Sequence, residues 1–185
     1  MYSTLPYAIS QVLIETIYSA IQTAIYCLII YSMIGFEWTA AKFLSFYYFM
    51  LMCLIFYTLY GMMIVAVTPS YQIAATCNSF FLSIWNTFSG FVIPRMQIPI
   101  WWRWYYWAVP NAWTLYGIVT SQLGDQNTQL QIPGAGNMGL KELLKESLGY
   151  DYHFLPVVAI VHIAWVLLFL FVFAYSIKFL NFQKR

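Results

Sequence analysis

Four long apolar runs constrain this chain more than any other feature. They cover residues 12–36, 43–67, 73–93 and 154–177 of the 185-residue sequence. Crossing the hydrocarbon core of a bilayer takes about 20 residues of helix, and each run is long enough. Backbone groups find no water in that core, so a spanning segment is a helix or part of a closed barrel. Barrel strands alternate apolar and polar residues, and these runs do not. The sequence predicts an all-α polytopic membrane protein.

The overall composition supports a membrane protein and excludes a nucleic-acid partner. Apolar residues make up 62% of the chain and charged residues 8%, whereas soluble domains carry about 25% charged residues. A net charge of +2 is too small for a groove that follows phosphates. The sequence has no cluster with the spacing of a catalytic or metal site, so we predict no catalytic residue, no metal ligand and no enzyme activity for this chain by itself.

An aromatic stretch follows the third run. Residues 89–117 hold five of the eight tryptophans, three prolines and two arginines. The prolines prevent a simple continuation of the preceding helix, and tryptophan is enriched where membrane meets water. We predict a re-entrant or interfacial segment over residues 98–118. Its expected interfacial anchors are Trp101, Trp102, Arg103, Trp104, Trp107 and Trp113.

Residues 119–153 form the predicted loop between this segment and the last span. Leucines at 140, 143, 144 and 148 would share one face of a short surface helix that stops at Gly149. The preceding segment, residues 134–139, contains three glycines with the spacing of a dinucleotide-binding fingerprint. That fingerprint needs a buried strand leading into it, and Pro133 stands where this strand would end, so we interpret the glycines as a flexible loop.

Small polar residues recur along one helical face of the third run. Ser79, Ser83, Asn86 and Gly90 are spaced at i, i+4, i+7 and i+11. Such a stripe either packs tightly against another helix or lines a wet cavity. The spacing alone leaves both alternatives open.

Two ionisable residues lie in the apolar runs. Glu15 is either functional, as ionisable residues inside a span usually are, or it lies in the interface before the helix enters lipid. His162 is expected to hydrogen-bond between helices, and proton transfer is the less favoured alternative.

Several segments together resemble one transporter family. The segments "MIGFEWTAAKF", "WNTFSGFVIPRMQIPIWWRWYYW", "PNAWTLYG" and "SQLGD" are similar to the second membrane half of plant pleiotropic drug resistance transporters, the full-size branch of the G subfamily of ATP-binding cassette exporters. The resemblance covers essentially the whole chain. It implies an ABC-2 type permease half that lacks its first two helices, and therefore a fragment of an ATP-driven pump.

The resemblance also implies roles for particular residues. Ser79, Ser83 and Asn86 would line the substrate cavity, and Phe91 and Val92 would form the apolar plug at its exit. Glu15 becomes a candidate coupling residue on the cytoplasmic side.

The same resemblance implies the setting of the chain. It would be part of an exporter of small, largely apolar organic compounds. This exporter would lie in the plasma membrane, with both termini cytoplasmic and residues 119–153 outside. The expected partners are lipid, the organic substrate and the missing membrane half and nucleotide-binding domains, which would hold ATP and Mg²⁺. The alternative is a polytopic structural or scaffold protein without transport activity.

Overall fold

The molecule is a helical bundle with one small β-hairpin in its loop. A computed structural model describes residues 4–126, 129–132 and 136–179. Within them lie the helices α1 (Thr4–Ile34), α2 (Ala40–Val67), α3 (Tyr71–Thr87), α4 (Arg103–Ala108), α5 (Pro110–Leu123), α6 (Leu140–Leu143) and α7 (Leu155–Phe179), and the strands β1 (Gln129–Ile132) and β2 (Gly136–Gly139).

Three segments of the described chain are long and apolar enough to cross a membrane. They are Pro6–Ile34, Ala40–Val67 and Tyr152–Phe179, and they overlap with the predicted runs 12–36, 43–67 and 154–177. The prediction of an all-α polytopic membrane protein is therefore confirmed.

The predicted run 73–93 forms a shorter helix. α3 has 17 residues and ends at Thr87, six residues before the predicted end. Its length is about 26 Å at 1.5 Å per residue, slightly less than a hydrocarbon core of about 30 Å. The helix ends early because Gly90 takes a positive φ of 96° and Pro94 follows. That α3 crosses the membrane stays a prediction.

Helix α2 is the centre of the bundle. It packs against α1, α5 and α7, and less extensively against α3. Phe56 and Leu59 of α2 are fully buried, and they join Phe169 of α7 and Val109 before α5 in the largest apolar cluster. The exposed large side chains of α1, which include Leu13, Ile17 and Ile21, point away from this core.

Helix α5 rises inside the bundle along α2. Gly117 lies against the ring of Phe49. Further along α5, the Gln122 amide donates to the Lys42 carbonyl at 2.9 Å, and Lys42 is nearer than Phe49 to the start of α2. The chain thus enters the bundle after α3 and returns through α5 to the end where α2 begins. That this segment is re-entrant in a membrane stays a prediction, and α5 continues to Leu123, beyond the predicted end at residue 118.

An ion-pair network lies at the C-terminal end of α5. The Lys42 ammonium lies 2.6 Å from a Glu37 carboxylate oxygen and 3.1 Å from one of Asp125. Glu37 belongs to the α1–α2 connection and Asp125 follows α5. The network therefore ties the return of the re-entrant segment to the turn between the first two helices.

The loop contains the predicted helix and an unpredicted hairpin. α6 continues into a π-helical turn at Leu144–Leu148 and stops at Gly149, whose φ is positive. Leu144 is buried, as the leucine pattern predicts. β1 and β2 pair in antiparallel register, so the last glycines of the fingerprint-like motif belong to a hairpin and not to a βαβ unit. Gly134 lies outside the described residues.

Candidate functional site: the exposed face of the third helix

The polar stripe of α3 lies on the outside of the described bundle. Ser79, Ser83 and Asn86 are all exposed. On the opposite face, Trp85 is buried with its ring 4.5 Å from that of Tyr60. Trp85 thus fixes the rotation of the helix, and the two serines pack against none of the described helices of this chain.

The stripe leads directly into two exposed apolar residues. Phe91 is 81% exposed and Val92 is 64% exposed, although both are large enough to favour burial. The Ser89 hydroxyl donates to the Asn86 carbonyl at 2.8 Å and closes the last turn of α3. Because Gly90 then reverses the backbone, the two apolar side chains are presented just beyond the polar stripe.

Gly90 lies in a tight pocket of tyrosines. A β-carbon at Gly90 would lie 3.1 Å from a ring carbon of Tyr106 and 3.2 Å from the Tyr150 hydroxyl. Tyr106 comes from α4 and Tyr150 from the end of the loop. The segment that carries Phe91 is therefore held by two separate parts of the chain.

Asn86 has a polar partner that the sequence analysis missed. The Asn111 amide nitrogen donates to the Asn86 side-chain oxygen at 2.9 Å. Asn111 is the second residue of α5 and only 8% exposed. An asparagine directly after Pro110, in a mostly apolar stretch, was the available signal, because a polar side chain within a membrane is often functional.

The six predicted anchors fall into two groups. Trp101, Trp102 and Trp104 are exposed, as an anchor at the membrane surface must be. The Trp113 indole is buried and donates to the Trp107 carbonyl at 2.8 Å.

The inner tryptophans and the arginines of this segment contact protein. The Arg95 guanidinium lies 4.7 Å from the centre of the Trp107 ring, a cation–π contact. Arg103 is half-buried and directs its guanidinium toward the Ile98 carbonyl. Trp107 and Trp113 therefore help to hold the re-entrant segment together, while an anchoring role stays a prediction for the exposed tryptophans.

A family model and several relatives match the sequence of this chain. The family described as "ABC-2 type transporter" matches residues 1–123, which is more than half of the chain. The chain belongs to the ABC-2 type transporter family. The predicted resemblance to plant G-family and pleiotropic drug resistance transporters is confirmed.

Three relatives show how much of a transporter the chain represents. The whole chain is 68% identical to ABC transporter G family members 34 and 39 of Arabidopsis thaliana. It is 62% identical over 186 aligned residues to pleiotropic drug resistance protein 2 of Nicotiana plumbaginifolia. The chain spans 13% of the length of each of these three relatives. It thus corresponds to a small part of the length of such a transporter.

Two ionisable residues of this ABC-2 domain differ in their surroundings. Glu15 is exposed. The midpoint of α1 is residue 19, and Glu15 lies four residues before it. It borders a narrow crevice with Thr16 and Thr58. His162 is fully buried in α7, and its Nε2 atom is 2.8 Å from the Thr114 hydroxyl of α5. The predicted interhelical hydrogen bond of His162 is confirmed, and the coupling role of Glu15 stays a prediction.

Proposed function

We propose that this ABC-2 domain is the membrane-spanning part of an ATP-driven exporter of small, largely apolar organic compounds. Ser79, Ser83 and Asn86 would line the substrate path, and Phe91 and Val92 would close its exit. The observation that carries the proposal is the outward-facing polar stripe that ends at two exposed apolar side chains.

The exposed stripe supports a path better than a packing seam with the described helices. Phe91 leaves 81% of its surface uncovered by this chain, and keeping such a side chain out of water contributes about 1.5–3 kcal/mol. An exposed apolar pair next to a polar face is typical of a surface that another part of the same assembly covers. In a complete transporter, the facing membrane half would enclose the stripe and meet the apolar pair.

The remaining parts of the proposal concern the whole transporter. ATP and Mg²⁺ would bind in domains outside this chain, and Glu15 would help to couple those domains to the membrane helices. We place the protein in the plasma membrane with both termini cytoplasmic and the loop at residues 119–153 outside. Lipid would cover the exposed apolar side chains of α1.

The test adds bulk to the path and removes bulk from the exit in a full-length transporter that carries this segment. Ser83→Trp is expected to obstruct export, and Phe91→Ala is expected to alter it, with surface abundance unchanged. Ser32→Trp is the matched control, because Ser32 is an exposed serine at the outer end of α1. Surface abundance, ATP-dependent export and substrate-stimulated ATPase activity are measured together.

Three results would contradict the proposal. Normal export by Ser83→Trp would show that the stripe does not line the path. Loss of the protein from the membrane in Ser83→Trp, but not in Ser32→Trp, would show a packing seam with another part of the transporter. If no ATP-dependent export occurs in the parent protein, a structural role replaces transport.

A further inference from the structure

A buried amide on α5 contacts the side chain that ends the polar stripe. Asn111 lies one residue after Pro110, and its amide nitrogen donates to the Asn86 side-chain oxygen over 2.9 Å. Asn86 is exposed, whereas Asn111 is 8% exposed. The hydrogen bond therefore connects the proposed path to the interior of the re-entrant segment.

In this hydrogen bond Asn111 is assigned as the donor and Asn86 as the acceptor, and this assignment decides which end of the Asn86 side chain faces outward. A carboxamide is planar, with an accepting oxygen on one side and a donating NH₂ group on the other. Because the oxygen is held by Asn111, the NH₂ group is turned away from α5 toward the exposed side. The backbone is held as well, since the Ser89 hydroxyl donates to the Asn86 carbonyl at 2.8 Å.

The oxygen end of the Asn111 side chain argues against a purely structural role for Asn111. Its side-chain oxygen is buried and has no hydrogen-bond partner among the residues that the structure describes. An unsatisfied buried polar atom is rare and needs an explanation. An apolar residue of the same size would avoid this unsatisfied oxygen, but it could not hold Asn86.

We infer that Asn111 is a positioning residue that makes Asn86 present a hydrogen-bond donor to the substrate path. This inference rests on the proposed function and adds to it a substrate class. Among apolar compounds of equal size, the path favours those that carry an accepting oxygen, such as a ketone or an ether. Asn111 itself acts through Asn86 and does not touch the substrate.

The experiment compares two transported probes of the same shape in a full-length transporter that carries this segment. 9-Fluorenone has a ketone oxygen that can accept a hydrogen bond, and fluorene has the same skeleton without it. The ratio of their half-saturating concentrations for export is measured for each variant. Because both probes meet the same protein molecules, the ratio does not depend on how much protein reaches the membrane.

The wild type is expected to favour 9-fluorenone by about fivefold, the effect of one ordinary hydrogen bond. Asn86→Leu and Asn111→Leu should each bring the ratio close to one. The double variant should give the same ratio as Asn86→Leu alone, because residues that act as one unit are not additive. Replacing a residue that has only a structural role would leave this ratio unchanged.

Thr114→Val is the matched control. Thr114 is also a buried polar residue of α5, but its hydroxyl bonds His162, so the variant should keep the wild-type ratio. Asn111→Ala replaces Asn111→Leu if the larger side chain prevents recovery of the protein.

The outcomes separate this inference from the proposed function. A wild-type ratio of one overturns the donor assignment. A wild-type ratio in Asn111→Leu, with a changed ratio in Asn86→Leu, overturns only the role of Asn111. If neither probe is exported in an ATP-dependent way and Ser83→Trp changes nothing, the proposed function itself fails.

Discussion

The close contact between α5 and α2 gives the sharpest prediction for stability. Gly117 of α5 faces Phe49 of α2, and a β-carbon at Gly117 would lie 2.4 Å from two atoms of the Phe49 ring and 2.7 Å from a third. Carbon atoms pack best at about 3.5–4.0 Å. Gly117→Ala would therefore force an overlap of about 1 Å or more with three ring atoms.

Two opposing effects set the size of the change. Replacing glycine by alanine inside a helix stabilises by about 0.5–1 kcal/mol. Overpacking a dense interior costs about 1–3 kcal/mol. The Phe49 ring cannot move away easily, because it is 2% exposed and lies 5.3 Å from the Tyr48 ring and 5.7 Å from the His162 ring. We expect a net destabilisation of about 1–2 kcal/mol, roughly a tenfold change in the folding equilibrium.

The assay measures the fraction of a full-length transporter that stays monodisperse in detergent after heating. Gly61→Ala is the matched control, because Gly61 lies inside α2 and its β-carbon would meet nothing within 4 Å. That variant should be as stable as the wild type or up to about 1 kcal/mol more stable. Gly117→Ala should lose folded protein at a lower temperature than both.

A rescue variant tests the cause. Phe49→Leu removes the ring that causes the overlap, so adding it to Gly117→Ala should destabilise less than the sum of the two single changes. If Gly117→Ala matches Gly61→Ala in stability, or if the two changes are simply additive, α5 does not approach α2 at Phe49 and the re-entrant packing described above is refuted.

Two further predictions concern the exit and the orientation. Gly90→Ala should reduce export at normal surface abundance, because φ is 96° there and the new β-carbon would meet Tyr106 and Tyr150. Adding Tyr150→Phe should restore part of the export. Unchanged export in Gly90→Ala would contradict the tight pocket. A cysteine at the exposed position 141, made as Lys141→Cys, should react with a membrane-impermeant thiol reagent in intact cells. Reaction only after permeabilisation would reverse the proposed orientation.

The main helices could be predicted from the sequence because the bilayer acts on each segment separately. An apolar run of about 20 residues must satisfy its own backbone whatever the rest of the chain does. The same holds for the stripe on α3, since a repeat of 3.6 residues places Ser79, Ser83 and Asn86 on one face. The end of α3 was less predictable, because it depends on the positive φ of Gly90.

Contacts between distant segments were decided only by the tertiary structure. Nothing in the local pattern distinguishes Trp113, which is buried, from Trp101, which is exposed. The hydrogen bond between Asn86 and Asn111 joins residues 25 positions apart. The approach of Gly117 in α5 to Phe49 in α2 joins two helices that are separated along the chain by α3 and α4. Periodicity determines which side chains share a face of one helix, but the neighbour of that face depends on how α5 enters the bundle, and that is a property of the whole packed chain.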